Sequence, residues 1–266
     1  MLVAQLTDFH ALPPGRLLDG VDTNAMLEHA IVHVGQLRTA PDLLIATGDL
    51  AEGGALESYT FLREQLSRLA MPWLLTVGNH DSRDNLRAVF GDLPWVPGSG
   101  YINYVVDDYP VRLLALDTLD VGRSGGTMCP TRLQWLDQTL SQAQTKPTLL
   151  FMHHPPFDSG IAWMDKSAFD GGPALAEIIR AHPQVKRIIC GHLHRPITSE
   201  FAGVVTSVAS STCYQVHLDL APSAVPQIIF EPCVCHLHHW DGERFVTHQT
   251  YISPCASPIA LCPKGP

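Results

Sequence analysis

Leu43-Leu-Ile-Ala-Thr-Gly-Asp49 is a short apolar run that ends in a glycine and a carboxylate. A strand buried inside a parallel sheet reads this way, as a near-continuous hydrophobic segment bounded by a turn signal. The same pattern occurs upstream at Leu2–Thr7, which ends in Asp8, and downstream at Trp73–Val77, which delivers Gly78-Asn79-His80. Between these runs, Asp22–Leu37 and Leu56–Leu69 carry apolar residues at helical spacing, with Phe61, Leu62, Leu66 and Leu69 on one side of the second. Strands and helices alternating at this rhythm predict βαβ units, a largely parallel sheet, and functional loops at the carboxyl ends of the strands.

The second half changes texture. Tyr101–Val106 and Val111–Leu116 predict a hairpin around Asp107-Asp108-Tyr109-Pro110, and Pro130–Leu140 predicts a helix with proline in its first turn. Thr148–Met152 runs into His153-His154-Pro155-Pro156, and Arg187–Cys190 runs into Gly191-His192-Leu193-His194. The later runs Val204–Val208, Tyr214–Leu218, Gln227–Phe230 and Arg244–His248 predict a more antiparallel second sheet. The expected fold is α/β, a four-layer αββα sandwich of two mixed sheets flanked by helices. Residues 1–250 are read as the catalytic domain and 251–266 as a C-terminal arm for self-association, so a homo-oligomer is expected.

Composition narrows the function. Hydrophobic residues make up 45% of the 266, enough to fill a sizeable core, while the formal charge is -9. No basic run offers the Lys and Arg groove that a nucleic acid polymer needs, which favours a small anionic substrate. The start of the chain shows no basic leader, and no run reaches transmembrane length, so neither a signal peptide nor a membrane partner is expected. Seven cysteines form an odd set. Cys190 reads as a buried thiol, and Cys233, Cys235, Cys255 and Cys262 as reduced thiols of a cytoplasmic protein, with a disulfide through Cys255 or Cys262 or a structural metal as alternatives.

Asp8, His10, Asp49, Asn79, His153, His192 and His194 lie mostly at the ends of these strands, in the motifs D-x-H, G-D, G-N-H, H-H-P-P and G-H-x-H. Each motif alone is weak, but the five in this order are specific. Carboxylates and imidazoles gather at one place when they share a strong positive charge, which points to two metal ions about 3.5–4 Å apart, an arrangement that hydrolyses phosphate esters. Mixed nitrogen and oxygen donors without thiolate suit iron, manganese, zinc or cobalt. Alternation lets His192 and His194 converge while Leu193 points elsewhere. The glycines before Asp49, Asn79 and His192 are expected to supply positive φ and close backbone approach.

The series Asp8-x-His10, Gly48-Asp49, Gly78-Asn79-His80-Asp81, His153-His154-Pro155-Pro156 and Gly191-His192-x-His194 resembles the calcineurin-like metallophosphoesterase family. It is more similar still to the branch that holds bacterial cyclic-nucleotide phosphodiesterases and glycerophosphodiesterases, with weaker similarity at Thr212–His217. The resemblance implies two divalent or trivalent transition metal ions. One is held at Asp8, His10, Asp49 and His194, the other at Asp49, Asn79, His153 and His192, with Asp49 bridging through its two oxygens. It implies that His80 is no ligand but a general acid or transition-state donor. The implied reaction is hydrolysis of a small phosphodiester, a 3′,5′-cyclic nucleotide or a glycerophosphodiester, by metal-activated hydroxide. A phosphomonoesterase or nucleotidase, and a non-catalytic metal-bound interaction module, are the alternatives.

Further residues are read as the surroundings of that site. Trp163, Met164 and Phe169, in the patternless stretch Phe157–Gly172, are expected to wall the substrate, with Asp158, Asp165 or Lys166 meeting its polar groups. His154 is expected to shape the pocket or bond the backbone, His217 to touch the rim, and Asp81 to orient His80 or a ligand histidine. His29 and His33, four apart on the first helix, lack an evident third ligand. His236, His238 and His239 are read as a surface or interface strand, with a secondary metal site as the alternative.

Overall fold

Three parallel strands, β1 (Leu2–Leu6), β2 (Leu43–Ala46) and β3 (Trp73–Leu75), form one side of the first sheet in the computed structural model, which describes residues 1–252. They are joined by α1 (Thr23–Gly35) and α2 (Leu56–Leu66), and α3 (Arg83–Phe90) follows β3. The helix starts are chemically marked. Asp22 accepts the Ala25 N–H at 3.0 Å and Ser82 accepts the Asn85 N–H at 3.3 Å, each satisfying a donor that has no partner within its helix.

The second sheet holds β4 (Tyr104–Val106), β5 (Arg112–Leu116), β6 (Thr148–Met152), β7 (Val185–Cys190), β8 (Ile197–Phe201) and β9 (Val204–Val208), in the order β4-β5-β6-β7-β9-β8. Helices α4 (Pro130–Ser141) and α5 (Gly172–Ala181) lie on its outer side. The predicted antiparallel character is confined to the two edges, because β5, β6, β7 and β9 pair in parallel. Of the later runs expected there, only Val204–Val208 belongs to this sheet. Residues 215–216 and 228–229 form a separate two-stranded ribbon, β10 (Gln215–Val216) with β11 (Ile228–Ile229). The chain then returns to the first sheet as β12 (Val234–Trp240) and β13 (Phe245–Tyr251), completing the order β13-β12-β1-β2-β3.

Period-two alternation makes this a sandwich. Leu113, Ala115, Leu149, Phe151 and Ile189 share one core with β1, β2, α1 and α2, whereas Leu114, Leu116, Leu150, Met152, Ile188 and Cys190 share a second core with α4 and α5. The four layers are therefore helices, first sheet, second sheet, helices. Strand β12, expected at the surface or an interface because of its histidines, is instead an interior strand. His236 and His238 are buried, and His238 is held by Gln5 at 3.0 Å and Thr247 at 2.9 Å, which makes them interior polar groups rather than a second metal cluster. Likewise His33 bonds Thr250 Oγ1 at 3.1 Å and pins α1 to β13. Cys129, Cys190, Cys213, Cys233 and Cys235 are free thiols, while Cys255, Cys262 and the expected C-terminal arm beyond residue 252 lie outside the described residues.

One carboxylate locks the loops at the carboxyl ends of β2 and β3 together. Asp81 accepts the N–H groups of Leu50 at 3.1 Å, Ala51 at 3.0 Å and Gly78 at 2.8 Å, and the Tyr59 hydroxyl at 2.7 Å. It does not orient His80, as the sequence had suggested, and its partners are backbone donors and a tyrosine. Removing it strands several buried donors, each costing roughly 1–3 kcal/mol. Asp81→Ala should therefore lower the denaturant midpoint by an amount equivalent to about 3–5 kcal/mol, and a loss under about 1 kcal/mol would show that water replaces the clamp.

Candidate metal centre

Every candidate ligand stands just past the carboxyl end of a parallel strand. Asp8 and His10 follow β1, Asp49 follows β2, Asn79 follows β3, His153 follows β6, and His192 and His194 follow β7. Two sheets thus contribute to one site. Leu193, between the last two, is 3% exposed and packs into the second core.

Five of these seven residues have left-handed backbone: Asp8 at φ 52°, His10 at 45°, Asp49 at 47°, His192 at 73° and His194 at 54°. Such conformations cost on the order of 1–3 kcal/mol each in a residue with a Cβ, and they cluster where a site demands them. The strain was expected to fall on the neighbouring glycines, yet among Gly48, Gly78 and Gly191 only Gly48 has positive φ, at 94°. Gly78 and Gly191 are required for space: a Cβ on the first would collide with Asp49 Oδ1, and on the second with Thr7 Oγ1.

The donor atoms converge on two points. At the first, Asp8, His10, Asp49 and His194 each direct one ligand atom into a cluster whose members all lie within 4.8 Å. His10 Nε2 faces His194 Nε2 at 3.1 Å, and His194 Nε2 lies 3.3 Å from Asp8 Oδ1. At the second, Asn79 Oδ1 lies 3.1 Å from both His153 Nε2 and His192 Nδ1, and His153 Nε2 lies 3.3 Å from Asp49 Oδ2. His154 also brings a ring nitrogen near those of His153 and His192; its Nδ1 is engaged by Thr118 Oγ1 at 2.8 Å and its Nε2 is buried without a hydrogen-bond partner, so it borders the second group beside the Asn79 carbonyl.

Partners on the far side of each ring assign its tautomer. His10 Nδ1 donates to Glu52 Oε2 at 2.7 Å, His153 Nδ1 to the Thr47 carbonyl at 2.8 Å, and His194 Nδ1 to the Tyr214 carbonyl at 3.0 Å. A carbonyl or carboxylate only accepts, so in each neutral ring Nε2 carries a lone pair aimed into the cluster. Lone pairs then face lone pairs at both points. Acceptors arranged in this way, with their outer nitrogens tied down, fit two cations. The separations of 3.1–3.8 Å between neighbouring donors also suit ligand bonds of roughly 2.0–2.2 Å.

Asp49 Oδ1 accepts the His80 N–H at 2.9 Å, while Oδ2 faces both groups, 3.8 Å from His10 Nε2 and 3.3 Å from His153 Nε2, so Oδ2 is placed to serve an ion at each. Asp8 is also committed on its outer side, since it accepts the His192 N–H at 3.1 Å and so ties the Gly191–His194 loop to β1.

Burial alone would raise both carboxyls, but His194 beside Asp8 and His153 beside Asp49 hold them below the ordinary range. Burial would depress His153, but without a cation the Asp49 carboxylate holds it up at about 9, so in the metal-free chain that ring keeps a proton which an ion in the cluster would displace. His80 sits at the edge, its side chain 38% exposed and its Nε2 4.0 Å from Asp49 Oδ2. Burial works against its charge, but a bond to Glu52 and the field of Asp49 raise it to about 9. Glu52 went unread in the sequence. One oxygen accepts from His10 Nδ1 and the other from His80 Nδ1 at 2.9 Å, so a single carboxylate orients a candidate ligand and the candidate acid together. Its only signal is position, on the same loop as Asp49. Tyr214 is the other missed neighbour, its ring 4.9 Å from that of His194.

The expected substrate wall is only partly assembled. A cavity of about 430 Å³ is lined by His154, Met164, Phe169 and His192, but not by Trp163 or His217. Asp165 accepts from the Ser159 N–H and hydroxyl and from the Gly160 N–H, at 2.7–2.8 Å, so it builds the loop. Lys166 lies on a neighbouring polar hollow with Arg123.

Known proteins resemble this chain in sequence and in fold. The chain is 34% identical over 261 residues to a probable glycerophosphodiester phosphodiesterase, GpdQ, of Arcobacter nitrofigilis, covering 97% of this chain and 96% of the relative. It is also 34% identical over 252 residues to a probable cyclic nucleotide phosphodiesterase of Rhodopseudomonas palustris, covering 92% and 90%. Its fold matches that of a dimetal phosphatase from Danio rerio with a TM-score of 0.70 at 16% identity, over 95% of this chain and 96% of the other. The sequence model of the calcineurin-like phosphoesterases matches residues 1–196, the span that contains all seven candidate ligands, and the chain belongs to that family.

Proposed function

We propose that this protein is a dinuclear-metal phosphodiesterase that hydrolyses small phosphodiesters, with 3′,5′-cyclic nucleotides and glycerophosphodiesters both among its substrates. The observation that carries this reading is the pair of donor clusters sharing Asp49 Oδ2, with His80 poised at their edge. Two relatives of equal identity, named for the two substrate classes, support it. Asp8, His10, Asp49 and His194 would hold one ion, and Asp49, Asn79, His153 and His192 the other. Two such ions, of iron, manganese, zinc or cobalt, supply an activated water and offset charge on the phosphate oxygens.

The chain's own residues do the rest. His80 holds a proton on Nε2 while Nδ1 donates to Glu52, so it can neutralise a phosphate oxygen or protonate the departing alkoxide. Glu52 keeps that ring at a constant angle to Asp49. The Asp81 clamp holds the two loops that carry Asp49 and His80, which preserves the geometry through turnover.

Asp49→Ala should remove both metals, whereas Asn79→Ala should leave about one per chain, because one oxygen serves both groups and the amide serves one. Elemental analysis after gentle dialysis checks this, and two retained metals in Asp49→Ala would refute the shared oxygen.

His80→Ala should keep its metals and lose roughly 10²–10⁴-fold in turnover of an alkyl diester, with a smaller loss for a nitrophenyl ester that needs no protonation. Glu52→Ala should lower turnover in the parent but add little in the His80→Ala background. A full additional loss in the double variant would show that Glu52 acts only through His10.

The substrate reading is tested by kcat/KM for cyclic AMP and for glycerophosphoethanolamine at equal metal loading. Both should be hydrolysed, with a ratio below about 10³, or roughly 4 kcal/mol of discrimination. A larger ratio would mean a dedicated enzyme, and turnover of AMP in preference to both would sink the diesterase assignment.

A further inference from the structure

The cavity beside the metal centre lies on one flank only. Its wall includes His154 and His192, whereas neither His80 nor Glu52 lines it. His80 stands on the other flank, its ring 4.8 Å from that of His10. Phe157, Met164, Phe169 and Phe201 line the cavity and pack against the second core, so this wall is anchored to α4, α5 and the second sheet. No Lys or Arg contributes to the lining, and one of its two acids, Asp165, is saturated by its own loop. The volume of about 430 Å³ falls within the roughly 300–1,000 Å³ of small-molecule sites.

A phosphodiester has two ester substituents with different fates. Hydrolysis forms a P–O bond to the oxygen of water and breaks the P–O bond to one ester oxygen, which takes up a proton. In an acyclic diester that alcohol departs and the other substituent stays on the monoester, whereas in a cyclic nucleotide the freed hydroxyl remains on the ribose that keeps the phosphate. Given phosphodiester hydrolysis as proposed above, the departing oxygen belongs where a proton donor is, on the His80 flank. We propose that the retained substituent occupies the cavity beside His192, and that the cavity selects an uncharged, ring-sized apolar group such as an aryl ring or a nucleobase. The absence of any cation in the lining argues against a second phosphate there, since a buried anion without a partner is strongly disfavoured.

Two diesters that share 4-nitrophenolate as leaving group and differ only in the retained group, methyl 4-nitrophenyl phosphate and phenyl 4-nitrophenyl phosphate, isolate this cavity. The phenyl ester should be favoured in kcat/KM by roughly 10–100-fold, the value of burying one ring. Met164→Asp and Phe169→Ala should each erase most of that preference, bringing the phenyl-to-methyl ratio of kcat/KM toward one. Calorimetric binding of the corresponding monoesters gives a readout without turnover, phenyl phosphate binding at least tenfold tighter than methyl phosphate in the parent and equally in Met164→Asp. If both variants lose the two esters in parallel, the cavity takes the leaving group and the assignment falls. No turnover of either ester with both metals bound would defeat the diesterase reading instead. Equal binding of the two monoesters by the parent protein would then overturn the cavity on its own.

Discussion

Asp8 and Asp49 are 0% and 2% exposed, and their carboxylates belong to one cluster of ligand atoms within 4.8 Å. Two like charges removed from water at that separation repel strongly, and each carries a desolvation cost of several kcal/mol unless positive charge is supplied beside it. The rest of the site answers this requirement. Imidazoles from β6 and β7 face the carboxylates, and the outer nitrogens of His10, His153 and His194 are tied to acceptors that hold the inner lone pairs on target. The arrangement is costly for the folded chain alone and well matched to two cations, which links stability to metal loading.

The same requirement explains the backbone. A straight strand end would leave Asp8 and His10 on one face of the sheet, roughly 6–7 Å apart, so the chain turns sharply at each ligand and accepts positive φ there. Such strain persists only where the surroundings over-determine it. Here the surroundings are the Asp81 clamp, the His192 N–H on Asp8, the His80 N–H on Asp49, and glycines whose missing Cβ atoms let the loops touch. The loops are consequently rigid, as a site that must place reacting atoms to within about 0.5 Å needs.

Parallel strands in both sheets let the two halves of the chain meet at one edge. Because β5, β6, β7 and β9 run in parallel, His153 and His192 emerge at the same end as Asp8, Asp49 and Asn79 emerge from the first sheet. An antiparallel second sheet would have sent alternate ligands to opposite ends. The returning pair β12 and β13 closes the first sheet on β1.

Local pattern was enough to place the candidate ligands at strand ends and to read the alternation of strands and helices, while the stacking of two sheets face to face is not carried by periodicity. Apolar runs ending in Gly-Asp, Gly-Asn-His or Gly-His-x-His are contiguous in sequence, and buried parallel strands advertise themselves by composition. What stayed hidden depended on contacts far apart along the chain. The buried His238 of β12 finds Gln5, and that pairing makes a histidine-rich strand an interior one. Glu52 looks like any surface carboxylate until the fold brings His10 and His80 to its two oxygens. The contact of the His80 N–H with Asp49 Oδ1, which turns Oδ2 toward both donor groups, is also a product of the fold. Which aromatics of residues 157–172 face the cavity was likewise settled by packing, since a segment without periodicity carries no statement of direction.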